Sequence, residues 1–80
     1  MNKNWQIVKN RLYKHFSFKN FQEALAFINN IGQIAEQMNH HPKITNVYNQ
    51  VEIELWTHDT NSITDLDYQL AAAIETINIK

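Results

Sequence analysis

From residue 51 to residue 56 apolar and other side chains alternate: Val51, Ile53 and Leu55 on one parity, Glu52, Glu54 and Trp56 on the other. A period of two marks a strand with one buried face. The surrounding residues extend it to a hairpin over 45–57, turning near Tyr48-Asn49-Gln50. By the same parity His58 falls on the face of the glutamates. A helical period governs residues 20–39, where Phe21, Ala24, Leu25, Ile28, Ile31, Ala35 and Met38 recur and Phe27 and Ile34 widen the stripe. So wide a stripe either fills a core generously or turns its second edge to a partner subunit. Asn20 is the expected N-cap, with Glu23 placed as in a capping box. Pro42 ends this helix shortly before it, because a residue preceding proline avoids helical geometry. His40 then sits in the last turn and His41 is extended.

Residues 5–8 and 11–18 are rich in β-branched and aromatic side chains and predict a first hairpin, with Lys9-Asn10 as its turn. Residues 64–79 predict a last helix. Thr64 caps it, Asp67 takes its third position, and Leu66, Leu70, Ala73, Ile74 and Ile77 form its apolar stripe. The order is ββαββα. The predicted class is α+β, a four-stranded antiparallel sheet with helices packed on one face. Its two edge strands invite pairing with another chain.

The chain has 80 residues, enough for a single domain spanning residues 1–80. A domain this small buries a modest fraction of its surface and commonly needs a further support. With no cysteine, disulfides and thiolate zinc sites are excluded. Self-association is the expected support, because 44% of the residues are apolar. The net charge of -1 with no basic run argues against nucleic acid as a partner. No stretch is long and apolar enough for a membrane span or a signal peptide, so a cytoplasmic protein is expected. One glycine leaves no glycine loop for phosphate.

The histidines are the candidate chemistry. Glu36 and His40 are four apart and able to pair on a helix, and the helix C-terminus favours a cation at His40. His41, in extended geometry, points elsewhere. One protonated and one neutral imidazole can divide acid and base duties in one pocket. A metal site would need His40 or His41, His58, and Asp67 or Glu36 to converge, and neighbouring extended residues point apart. Spacing alone ranks surface capping of the helix end first, acid–base work second and metal last. Asp67 has a structural role as a helix N-terminal carboxylate, compatible with orienting a histidine. His15, within the first hairpin, reads as structural.

Taken together, Glu36, His40-His41-Pro42, Tyr48, His58 and Asp67, with "FSFKNF", "NVYNQVEI" and "TH" around them, form a spaced pattern. It resembles that of the pterin-4a-carbinolamine dehydratases from about Trp5 to Glu75. The resemblance implies an α+β fold and a lyase that dehydrates 4a-hydroxytetrahydropterins to quinonoid dihydropterins, recycling the cofactor of aromatic amino-acid hydroxylases. It implies no metal and no organic cofactor. It implies a homodimer joined at sheet edges, with a homotetramer joined through helices as the larger form. His40, His41 and His58 would be catalytic and Asp67 would assist. Asn39, Trp56, Thr57 and Asp59 would line the pterin pocket with the histidines. Trp56 stands where that family commonly carries a small polar residue, so it would narrow the pocket or stack on the substrate. The alternative is a non-catalytic dimerisation or binding module that keeps the fold.

Overall fold

Chain reversals in this protein are made almost without glycine. Its one glycine, Gly32, lies inside a helix. Among the described residues the left-handed positions fall to Lys9, Asn10, Asn39, Tyr48 and Asn61, and asparagine is the side chain that tolerates this geometry best after glycine. The computed structural model describes residues 5–78. Strands β1 (Gln6–Val8) and β2 (Arg11–Ser17) pair in a register that sets Val8 opposite Arg11. With φ of 52° at Lys9 and 62° at Asn10, the link is a two-residue turn of the type that matches strand twist.

Helix α1 (Phe21–Met38) begins where the Asn20 side chain accepts the Glu23 N–H at 2.9 Å. Glu23 does not close a capping box on Asn20; its carboxylate accepts the N–H of Lys19 at 2.9 Å, one residue upstream. Strands β3 (Lys43–Val47) and β4 (Gln50–Leu55) form the second hairpin. Strand β3 starts two residues earlier than the sequence pattern predicts, directly after Pro42. Tyr48 occupies the turn at φ 51°, an unusual geometry for a bulky side chain. Asn46 holds it by donating to the carbonyls of Tyr48 at 3.1 Å and Gln50 at 2.9 Å. The chain ends in helix α2 (Asp65–Glu75), shorter than residues 64–79; position 79 lies outside the described residues.

The strands form one antiparallel sheet in the order β1-β2-β4-β3. Both helices lie on one face, as the ββαββα pattern predicts. Leu12 from β2 and Val51, Ile53 and Leu55 from β4 meet Ala24, Phe27 and Ile31 from α1 and Leu70, Ala71 and Ile74 from α2. Each large aliphatic side chain buried this way contributes roughly 1.5–3 kcal/mol of transfer free energy. The stripes are rotated from the predicted ones. Phe27 is central to the core, whereas Phe21 and Leu25 are exposed. In α2 the buried face is Asp67, Leu70, Ala71 and Ile74, and Leu66 turns to solvent. A buried aspartate was invisible to a stripe drawn through apolar residues alone.

Candidate active site

The end of α1 decides where the two adjacent histidines go. Asn39 takes φ 52°, and the N–H groups of Asn39 and His40 return to the carbonyls of Glu36 (3.2 Å) and Ala35 (3.0 Å). This is a Schellman closure, which satisfies two orphan carbonyls and turns the chain away from the helix axis. His40 therefore lies beyond the last turn, not in it, and the four-residue helical spacing to Glu36 no longer applies. Glu36 pairs instead with His41, Nε2 to Oε2 at 2.9 Å, on the surface. His40 is buried, with 9% of its surface exposed.

The partner of His40 is Asp67, from the first turn of α2. Nε2 and Oδ1 are 2.6 Å apart and the carboxylate is fully buried. The other oxygen, Oδ2, accepts from the Thr64 N–H at 2.8 Å and from the Thr57 hydroxyl at 2.9 Å. Thr57 Oγ1 is also 2.6 Å from Thr64 Oγ1. Since Thr57 has one hydroxyl proton and gives it to Asp67, Thr64 must donate to Thr57. The Thr57 hydroxyl and the Thr64 N–H thus donate to Asp67 directly, and the Thr64 hydroxyl backs them through Thr57. A carboxylate that accepts from all sides orients the His40 ring with its proton on Nε2 and leaves Nδ1 as the nitrogen for other work. Asp67 serves the helix terminus and the histidine at once, as its sequence position allows.

Beyond Leu55 the strand ends, so parity no longer places His58. A Thr57–Ser62 bridge closes a short turn in which His58 is exposed. A cavity of about 230 Å³ opens between this turn, the end of α1 and the start of α2. His40, His41 and His58 all border it, with Asn39, Thr57 and Asp59. Of the expected substrate-binding residues, Trp56 alone is not in the lining; it packs behind His58, ring centroids 4.9 Å apart. Leu66 is in the lining and was not foreseen. Its place one residue before Asp67 held the signal: a helix that buries its third position aims its second elsewhere. At 41% exposed it offers an apolar contact to a flat ligand beside three imidazoles.

Chemically the site has one anchored, buried imidazole and two accessible ones. Among the described residues, no group of three or more His, Cys, Asp or Glu side chains is placed to hold a metal ion. His40 and His41 follow one another on non-helical backbone, and their rings go to different carboxylates, Asp67 and Glu36. Among the described residues no helix is long and apolar enough to cross a membrane.

The family profile described as Pterin 4 alpha carbinolamine dehydratase matches residues 1–77. A protein of Synechococcus sp. (strain WH7803), provisionally named a pterin-4-alpha-carbinolamine dehydratase, is 48% identical over 73 residues, covering 91% of this chain and 78% of its own length. A protein of Sulfurisphaera tokodaii with the same provisional name is 44% identical over 75 residues, 94% of this chain and 81% of its own. A transcriptional coactivator/pterin dehydratase from Brucella melitensis superposes with a TM-score of 0.87 at 35% identity, covering 90% of this chain and 79% of that one. A pterin dehydratase-like protein, identified as a RuBisCO assembly factor in the alpha-carboxysome, shares the fold at a TM-score of 0.72 and 22% identity, over 89% and 82% of the two chains. Matched along nearly its whole length in sequence and superposable in fold, the chain belongs to the pterin-4-alpha-carbinolamine dehydratase family.

Proposed function

We propose that this protein dehydrates a 4a-hydroxytetrahydropterin to the quinonoid dihydropterin by histidine general acid–base catalysis, in tetrahydropterin recycling. The observation that carries the reading is the joint placement of His40, His41 and His58 on one cavity, with His40 anchored by buried Asp67. The substrate bears a hydroxyl and an N–H on adjacent ring atoms. The C–O bond breaks as the departing hydroxide takes a proton from an imidazolium and leaves as water. The ring nitrogen gives its proton to a neutral imidazole, and the C=N bond forms. No oxidation state changes, so the step asks only for proton donors and acceptors in place. Each such transfer is worth roughly 10²–10⁴-fold. His41 and His58 are accessible enough to exchange protons with water between turnovers. His40 presents Nδ1, with Asp67 setting its ring. Asn39, Thr57 and Asp59 supply polar contacts to the pterin, and Leu66 meets its flat face.

Stopped-flow dehydration of a freshly generated carbinolamine, with purified protein, is the test. The wild type is expected to accelerate the reaction. His41→Ala and His58→Ala should each lower the rate by about 10²-fold, with stability changed by no more than about 1 kcal/mol, because both side chains are exposed. Their double variant should be little worse than the poorer single one if both act in one step. Full activity in both single variants would reject histidine catalysis and leave a binding module on the same fold.

A further inference from the structure

His40 is held by Asp67 and His41 by Glu36, but the third imidazole is held differently. Among the described residues the ring of His58 makes no hydrogen bond or ion pair; its contact is the indole of Trp56, at 4.9 Å between centroids and 39° between planes. That indole is itself fixed from another strand. The β2–β4 register sets Leu12 opposite Leu55, so Arg11 and Trp56, one step further along, come together on the sheet face that the helices leave open. The Arg11 guanidinium carbon lies 3.8 Å from the centre of the Trp56 ring. Arg11 in turn donates to Glu54 Oε1 at 3.4 Å, and Lys43 of β3 stands 3.9 Å from the other oxygen of Glu54. A stack of Arg11, Trp56 and His58 is thus tied to the sheet by Glu54.

We propose that Arg11 and Trp56 are positioning residues for His58: Arg11 holds the indole flat, and the indole holds the imidazole at the cavity mouth. The role assigned to His58 rests on the dehydratase reading above. An exposed histidine in a turn samples several side-chain rotamers, and a proton donor or acceptor works only in the fraction that faces its substrate. An aromatic wall beside the ring removes the rotamers that swing away. A planar guanidinium suits the other contact, since it stacks on an aromatic ring while still bonding a carboxylate, which an ammonium does less well. Trp56 consequently acts through His58 and need not touch the pterin.

The stack is tested by measuring kcat and KM for carbinolamine dehydration together with the NMR shifts of the His58 ring protons. The proteins are wild type, Trp56→Leu, Trp56→Phe, Arg11→Gln and Arg11→Lys. In the wild type the His58 ring protons should be displaced by the indole ring current. Trp56→Leu should return them toward exposed-histidine values and lower kcat about tenfold, with KM within about twofold. Arg11→Gln should do the same more weakly, about threefold, and Arg11→Lys should recover only part of the loss. Trp56→Phe should restore most of both signals. Unchanged His58 shifts in Trp56→Leu, or unchanged kcat in both Trp56→Leu and Arg11→Gln, would overturn the proposal. If wild type shows no dehydration, the dehydratase reading fails and so does the catalytic part of this one, while the ring shifts still report whether the stack exists.

Discussion

The pair His40–Asp67 concentrates several demands on one carboxylate. It closes the start of α2, receives the Thr57 hydroxyl and orients an imidazole, all without solvent contact. Removing it outright would strand three donors in the interior, a loss of about 3 kcal/mol or more, so Asp67→Ala would mix misfolding with chemistry. Asp67→Asn is the more informative change. Its amide oxygen can still accept from Thr64 and Thr57, but its NH₂ would face His40 Nε2 and push the proton to Nδ1. We expect dehydration to fall by at least about tenfold with the fold retained, and the ¹⁵N shifts of the His40 ring to report the exchanged tautomer. An unaltered tautomer with full activity would show that Asp67 is only a helix terminus residue.

At the level of elements, the site depends on how α1 stops. Asn39 is a pocket residue and also the left-handed closure that sends His40 inward and His41 outward. These two duties separate by substitution. Asn39→Gly keeps the left-handed geometry and should leave the melting temperature nearly unchanged. Asn39→Ala, forced to positive φ, should lower stability by about 1 kcal/mol. If both variants lose pterin affinity equally, the side chain binds substrate. If only the alanine variant does, the turn is what matters. Equal melting temperatures for the two would contradict the role of the turn. The Tyr48 turn is held by Asn46 of β3 on one side and by the exchange between Asn49 and Phe18 on the other, so its left-handed geometry is supported from β3 and from the residue that follows β2.

For the whole molecule, assembly is decided at the sheet edges. Strands β1 and β3 are the outer members of the sheet, and apolar side chains stand exposed at both: Ile7 at 64% and Val47 at 70%. An unpaired edge with exposed apolar side chains invites a second chain, and a homodimer by edge pairing is the expected assembly, with a tetramer as the larger possibility. Strand β3 has five residues against three in β1 and offers the longer row of backbone groups. Light scattering at micromolar concentration should therefore return at least twice the chain mass. Val47→Lys should weaken the assembly, and Ile7→Lys should weaken it less. A folded, active monomer at that concentration would sink the dimer.

The element order, the sheet and most of the core were legible in the sequence, because burial follows from each side chain's own polarity and its period along the chain. Val51, Ile53 and Leu55 declare a half-buried strand without reference to anything else, and Asn20, Thr64 and Pro42 mark helix ends by local chemistry. The spaced histidines with Asp67 were legible too, as a resemblance over nearly the whole chain. What the sequence could not decide were partners. The helical spacing of Glu36 and His40 predicts a pair, yet one left-handed residue, Asn39, transfers that carboxylate to His41. His40 then meets a carboxylate 27 positions away, a contact that exists only once α2 has packed across the end of α1. Likewise Trp56 reads as a pocket residue by its place beside His58. Only the β2–β4 register brings Arg11 over that indole, against which the His58 ring packs. Period and polarity are local properties of the chain, whereas the tautomer of a buried histidine and the rotamer of an exposed one are set by groups that tertiary packing brings together.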